Sequence, residues 1–218
     1  MKKIFATLLA ASMMLIGTQA FAQFVPGAGY LYASEKTSNS DAVAHHGFYL
    51  GASYNIPLVA GLGIAPGFYA NMLFSKLGSY SVGGATAGAS ISGNTRELSL
   101  NLPVNLNYRY SFGAVGVMAF AGPTFQYCVL NKSNINADFH IPGFTYTDGQ
   151  EINRFDPNES GALIAYNPFN IYIGGGIGIQ LGDLLFTVGY DRSLLDLDKR
   201  ENSKTARNVV KAGINFAF

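Results

Sequence analysis

The chain has 218 residues, and its 14 Lys and Arg against 13 Asp and Glu give no electrostatic case for a nucleic-acid partner. Charged residues make up 12% of it, about half the usual share of a soluble domain, while glycine is abundant at 26. Such a chain lacks the polar coat of an ordinary soluble protein, and its single cysteine, Cys128, excludes an intramolecular disulfide.

Residues 1–22 begin with Lys2 and Lys3, continue as an apolar run from Ile4 to Ile16, and close on Ala20-Phe21-Ala22. That order predicts a cleaved secretory signal peptide, too short to cross a bilayer as a helix, followed by one mature domain over residues 23–218. Beyond it no apolar run approaches the roughly 20 residues of a transmembrane helix. Only helices and closed barrels satisfy their backbone in lipid, so export, apolar composition and the lack of a helical span together predict a membrane β-barrel.

Eight segments in chain order fit that expectation. They run over residues 26–34, 46–58, 62–76, 97–110, 115–131, 167–181, 184–194 and 207–218. The most regular is 97–110, where Leu98, Leu100, Leu102, Val104, Leu106, Tyr108 and Tyr110 alternate with Ser99, Asn101, Asn105, Asn107 and Arg109. Period-2 alternation puts these two sets on opposite faces of a strand. The links between segments alternate long and short, from Gly182-Asp183 to the stretch 132–166. Short periplasmic turns and long extracellular loops would produce that alternation, with both termini periplasmic. The predicted fold is therefore all-β, an eight-stranded antiparallel transmembrane up-and-down barrel of the bacterial outer membrane. The stretch 132–166 reads as its largest extracellular loop, with turn signals at Pro142-Gly143, Asp148-Gly149 and Asp156-Pro157-Asn158, and as the contact for an unknown extracellular partner. Pro57, Pro66, Pro103 and Pro123 are expected to mark bulges or strand ends, because a closed barrel has no free edge for a missing N–H.

The outward register carries no charge in its central band. Lys76, Arg96 and Arg192 fall at the extracellular strand ends, where they could reach the phosphates of outer-membrane lipid and lipopolysaccharide. Tyr54, Tyr108, Tyr110, Phe216 and Phe218 read as an inner aromatic girdle, and Phe48, Phe74, Tyr127, Phe169 and Tyr190 as an outer one. The inward register supplies Glu97, Asn101, Asn105, Arg109, Asp191 and Lys211, together with Tyr49, Tyr69, Asn71, Gln126 and Tyr172. A barrel of eight strands has an interior only wide enough for side chains, so this set predicts a hydrogen-bonded plug in which the charges pair.

Arg96-Glu-Leu-Ser-Leu-Asn-Leu-Pro-Val-Asn-Leu-Asn-Tyr-Arg-Tyr-Ser-Phe112, followed by Val117-Met-Ala-Phe-Ala-Gly-Pro-Thr-Phe-Gln-Tyr127, resembles the paired strands of PorT-like outer-membrane β-barrel proteins, small barrels of the OmpX and OmpA kind. Gly174-Gly-Gly-Ile-Gly178 and Phe186-Thr-Val-Gly-Tyr-Asp191 match a later strand pair of that family, and the resemblance covers most of residues 48–218. Asn107 departs from it, standing where the family commonly has lysine. The resemblance implies a secretion-accessory role. Lys211-Ala-Gly213-Ile-Asn-Phe216-Ala-Phe218 resembles the terminal signal read by the outer-membrane assembly machinery, which implies that machinery as a partner.

The residues leave several functions open. A structural or surface-interaction role through the long loops leads. A lipid A-modifying enzyme would need His45, His46 or His140 beside a nucleophile or carboxylate, and no sequence-local catalytic motif accompanies them. A narrow small-solute channel would need an open lumen, and a soluble lipocalin-type barrel would need a cavity lined by the apolar face. No cofactor or metal site is expected: Asp138, His140, Asp148, Glu151, Asp156 and Glu159 lack ligand spacing.

Overall fold

The computed structural model describes residues 23–38, 41–83, 88–113, 115–142, 144–156, 165–199 and 204–217. The expected signal peptide, Pro157-Asn158 and Phe218 lie outside the described residues. The strands are β1 (Gln23–Thr37), β2 (Val43–Pro57), β3 (Leu62–Gly83), β4 (Gly88–Phe112), β5 (Val115–Ile141), β6 (Phe144–Asn153), β7 (Phe169–Leu181), β8 (Leu184–Ser193) and β9 (Thr205–Phe216). Every pairing is antiparallel, the order is β4-β3-β2-β1-β9-β8-β7-β5-β6, and β4 also pairs with β5. That last pairing closes a ring of eight strands and leaves β6 outside it. The chain is thus an all-β, antiparallel, eight-stranded barrel.

Burial is inverted relative to a soluble protein. On β4, Leu102, Val104, Leu106, Tyr108 and Tyr110 are exposed, whereas Ser99, Asn101 and Asn107 on the opposite face are buried. On β7, Ile173, Ile177 and Ile179 are exposed, with Ile177 at 67%, while Asn170 and Tyr172 are buried. Glycines on the inner face make room for lumenal rings: a Cβ at Gly213 would lie 1.9 Å from Tyr49 Oη, and one at Gly176 2.5 Å from Phe120 Cζ.

The stretch expected to be the largest loop is mostly strand. β5 runs on to Ile141, Pro142 turns the chain, and β6 returns along it from Ile141↔Phe144 to Lys132↔Asn153. Asp148-Gly149 sits inside β6 and is no turn, because Ala137 and Asn136 pair with it across the ladder. The preceding long link is likewise a hairpin, with β3 and β4 paired up to Gly83↔Gly88. Together β3, β4, β5 and β6 continue beyond the ring as a four-stranded sheet. At about 3.3 Å per residue the 25 residues of β4 reach roughly 80 Å, while about 10 residues suffice for a membrane-spanning strand.

The bulges lie away from the prolines. The register shifts between Leu77 and Tyr80 and between Leu98 and Ser99, the latter because Leu98 pairs with Leu130 and Ser99 with Cys128, leaving Val129 extra. Pro57 ends β2 as expected. Pro66 and Pro103 interrupt the β3–β4 ladder without shifting it, since the pairs Pro66↔Val104 and Tyr69↔Asn101 keep one offset. Near Pro123 the β4–β5 ladder skips in the same way between Pro103↔Thr124 and Leu106↔Ala121. A residue lacking its N–H omits a ladder bond, and the neighbouring pairs hold the register.

A layered lumen as candidate functional site

Inward residues stack in three layers along the barrel axis. The outer layer is a charge cluster at the mouth from which the sheet extension rises. Arg207 donates to Glu97 Oε1 at 2.7 Å and Oε2 at 2.8 Å, and to Glu35 Oε2 at 2.5 Å. Arg154, from the segment after β6, donates to Glu35 Oε1 at 3.2 Å and to Asn131 Oδ1 at 3.2 Å. Asn131 in turn donates to Glu97 Oε2 at 3.2 Å. The Tyr166 ring lies 5.3 Å from the Arg154 guanidinium and 5.5 Å from that of Arg207. Burial pushes the Tyr166 phenol well above its ordinary range, ahead of the opposing pull of Arg207. Arg207 is fully buried at 0% and Glu97 at 1%. Two arginines facing two carboxylates balance, as buried charge must.

Beneath the charges lies an apolar layer of Leu31, Ala33, Tyr49, Leu73, Tyr172 and Val209, with Tyr69 packed against it. Cys128 sits beside Tyr166 and Leu197 in a second small cluster under the mouth. Below the apolar layer the lumen opens into a cavity of about 140 Å³ that extends toward the short-turn end. Asn55, Asn71, Asn101, Asn105, Asn107, Arg109, Gln126, Asp191 and Lys211 line it. Asn107 donates to Asn55 at 2.8 Å, Gln126 to Asn101 at 3.2 Å, and Tyr172 to Gln126 at 3.1 Å. Lys211 and Asp191 form an ion pair at 2.5 Å.

Of the residues singled out for the lumen, the structure therefore puts Glu97 in the charge cluster and Asn101, Asn105, Arg109, Asp191 and Lys211 around the cavity. Glu35, Arg207, Arg154, Asn131 and Tyr166 did not stand out in the sequence. Glu35 continues the inward parity of Leu31 and Ala33, one residue past the expected end of its strand. Arg207 shares the parity of Val209 and Lys211. Extending the first strand by one residue would have found Glu35, and Arg207 already opened the last expected strand on its inward parity.

Lys76, Arg96 and Arg192 are exposed on the outer wall. Arg96 pairs across the ladder with Phe74 and Lys132, and Lys76 is two residues on from Phe74, so Lys76, Arg96 and Lys132 form one basic group. Arg192 lies elsewhere on the wall, opposite Ile173 and Asn208. Lys132 also pairs with Glu151 at 2.5 Å on the surface. Of the residues expected in the two girdles, Tyr110 meets Phe112 edge to face at 4.5 Å, and Phe48 and Phe74 lie tilted to each other at 6.3 Å.

The histidines separate. His46 faces outward, hydrogen-bonded to Tyr30 and tilted over Tyr32 at 5.3 Å. His45 faces inward, 3.8 Å from Glu35, and its register places it opposite Ser75, one step beyond His46↔Phe74. Ser75, His45 and Glu35 thus follow one another in the order of a nucleophile, base and carboxylate. Yet His45 and Ser75 are both buried, no hydrogen bond joins them, and the ion cluster packs over Glu35. No substrate reaches that position in this arrangement.

No family model matches this chain, and no curated protein matches it. Solved structures similar to it include the attachment invasion locus protein Ail of Yersinia pestis, at 12% identity and a TM-score of 0.41 over 89% of this chain and 99% of that one. Neisserial surface protein A is similar at 12% identity and a TM-score of 0.43, over 91% of this chain and 99% of that one. The outer membrane enzyme PagL is similar at 9% identity and a TM-score of 0.43, over 87% of this chain and 99% of that one. Identities this low, with TM-scores below 0.5, carry no function across to this chain.

Proposed function

We propose that this chain is an integral outer-membrane β-barrel protein with a closed lumen, acting at the cell surface through the sheet that β3, β4, β5 and β6 raise above the barrel. The inverted burial of the closed ring carries this reading: an apolar outer wall around a polar, ion-paired interior suits lipid outside and has no use in water. The charge cluster and the apolar layer beneath it block the lumen, which favours a surface role over a channel. The secretion-accessory role rests on the PorT-like resemblance alone, which is strongest over residues 97–127.

The raised sheet has the features of a docking surface. Its face continuing the lumen side presents exposed Ile91, Phe139 and Tyr146, with Ile141 and Phe144 at the tip of the hairpin, while its other face presents Ser90, Asn136 and Asp138. Among the described residues β6 pairs only with β5, leaving one backbone edge for an added strand. At its base the group of Lys76, Arg96 and Lys132 suits the phosphates of lipopolysaccharide. The assembly machinery would read the end of β9, including Lys211, Gly213 and Phe216. Proteoliposomes carrying the protein should bind lipopolysaccharide or a surface partner, and a Phe144→Ser/Tyr146→Ser variant should lose the protein partner while keeping lipopolysaccharide. Equal binding of both ligands by wild type, by that variant and by a Lys76→Ala/Arg96→Ala variant would refute the surface reading.

A further inference from the structure

We infer that the lower lumen is a binding site for a small, neutral, polyhydroxylated solute of about monosaccharide size. This goes beyond the surface role, which uses the opposite end of the barrel.

The cavity is much larger than a trapped water requires. Its volume of about 140 Å³ is on the order of ten times what one water needs. It is closed above by the apolar layer, whose Tyr49, Tyr172 and Val209 also line its roof. Toward the short-turn end its wall includes Asn55, Arg109 and Met118, all only half-buried, so solvent enters there. With the short turns periplasmic, as proposed above, the pocket is a blind vestibule facing the periplasm.

The chemistry of the wall selects the ligand. Amides are the commonest polar groups on it, beside apolar side chains such as Phe120 and Leu185, and each side-chain amide offers two donors and an acceptor with two lone pairs, the pattern that matches adjacent hydroxyls. Asn107 with Asn55, and Gln126 with Asn101, Ser99 and Tyr172, hold one another in fixed orientations. Asn71 and Asn105 line the same space with no side-chain hydrogen bond to another described residue, and they are the groups with capacity to spare. Tyr49 and Tyr69 meet edge to face at 5.7 Å and add aromatic surface against which the C–H face of a sugar ring packs. An acyl chain would strip these amides of water without replacing their bonds. Asp191, the carboxylate in the wall, is already paired with Lys211, which disfavours a cation. The glycines opposite the rings keep the space open: Cβ atoms at Gly29 and Gly213 would both collide with Tyr49.

The test is ligand-observed NMR on the full chain refolded in detergent micelles, where membrane orientation and surface partners play no part. Glucose and N-acetylglucosamine should show saturable transfer, and the side-chain amide signals of Asn71 and Asn105 in labelled protein should shift on titration. An Asn71→Leu/Asn105→Leu variant should weaken binding by about tenfold or more while keeping its heat-modifiable mobility; the amide shifts of the unaltered protein serve if that variant misfolds. No saturable binding of either sugar, shifts confined to the raised sheet, or saturation by acetate alone would each overturn the inference.

Discussion

At the residue scale the most consequential side chain is Arg207. It is fully buried and ion-paired with both Glu35 and Glu97, so Arg207→Met would leave Arg154 as the one arginine against two buried carboxylates. Removing one partner of a buried ion pair costs about 3 to 5 kcal/mol, and the midpoint of urea unfolding, read by gel mobility, should fall accordingly. Lys132→Ala breaks only the exposed pair with Glu151 and should cost less than about 1 kcal/mol in the same assay. A comparable loss from both would mean the cluster does not hold the mouth. On the outer wall, Leu102→Arg puts a charge on the exposed face of β4 and should cost about 2 to 4 kcal/mol if that face meets lipid. Asn101→Ser, on the inner face, should leave folding into lipid vesicles intact, and equal yields for the two variants would contradict the assignment of faces.

At the scale of elements, much of the barrel was legible. Alternation at residues 97–110 gave the two faces of β4, and Gly182-Asp183 gave the turn between β7 and β8, where Gly182 takes φ 59°. The sheet raised beyond the ring was missed although its signal was present. Ile135, Ala137, Phe139 and Ile141 alternate as cleanly as the leucines of β4, but the bulge at Val129 moves their parity to the other face. Beyond the ring an apolar outer face is no longer required, so Ser90, Ser92 and Asn94 look like a loop even while they pair in a ladder. The missed charges have the same origin, since Glu35 and Arg207 lie where the apolar alternation that marks a strand fades. Because β6 stands outside the ring, replacing residues 135–150 by a short turn should preserve the heat-induced gel shift of the barrel. Loss of that shift would show the extension to be part of the folding core.

At the scale of the whole molecule, the barrel is turned inside out: exposed leucines and isoleucines on its wall, an ion-paired plug at one end, a polar cavity at the other, and a sheet raised above the plug. The plug predicts silence in planar bilayers for the unaltered protein. Everything else depends on whether the apolar wall meets lipid in the cell. Fractionation of cells expressing the full chain, followed by gel electrophoresis with and without boiling, tests this most directly. A lipid-facing wall gives a species in the outer-membrane fraction that changes mobility on heating; a soluble, unshifted species after export would rule that wall out.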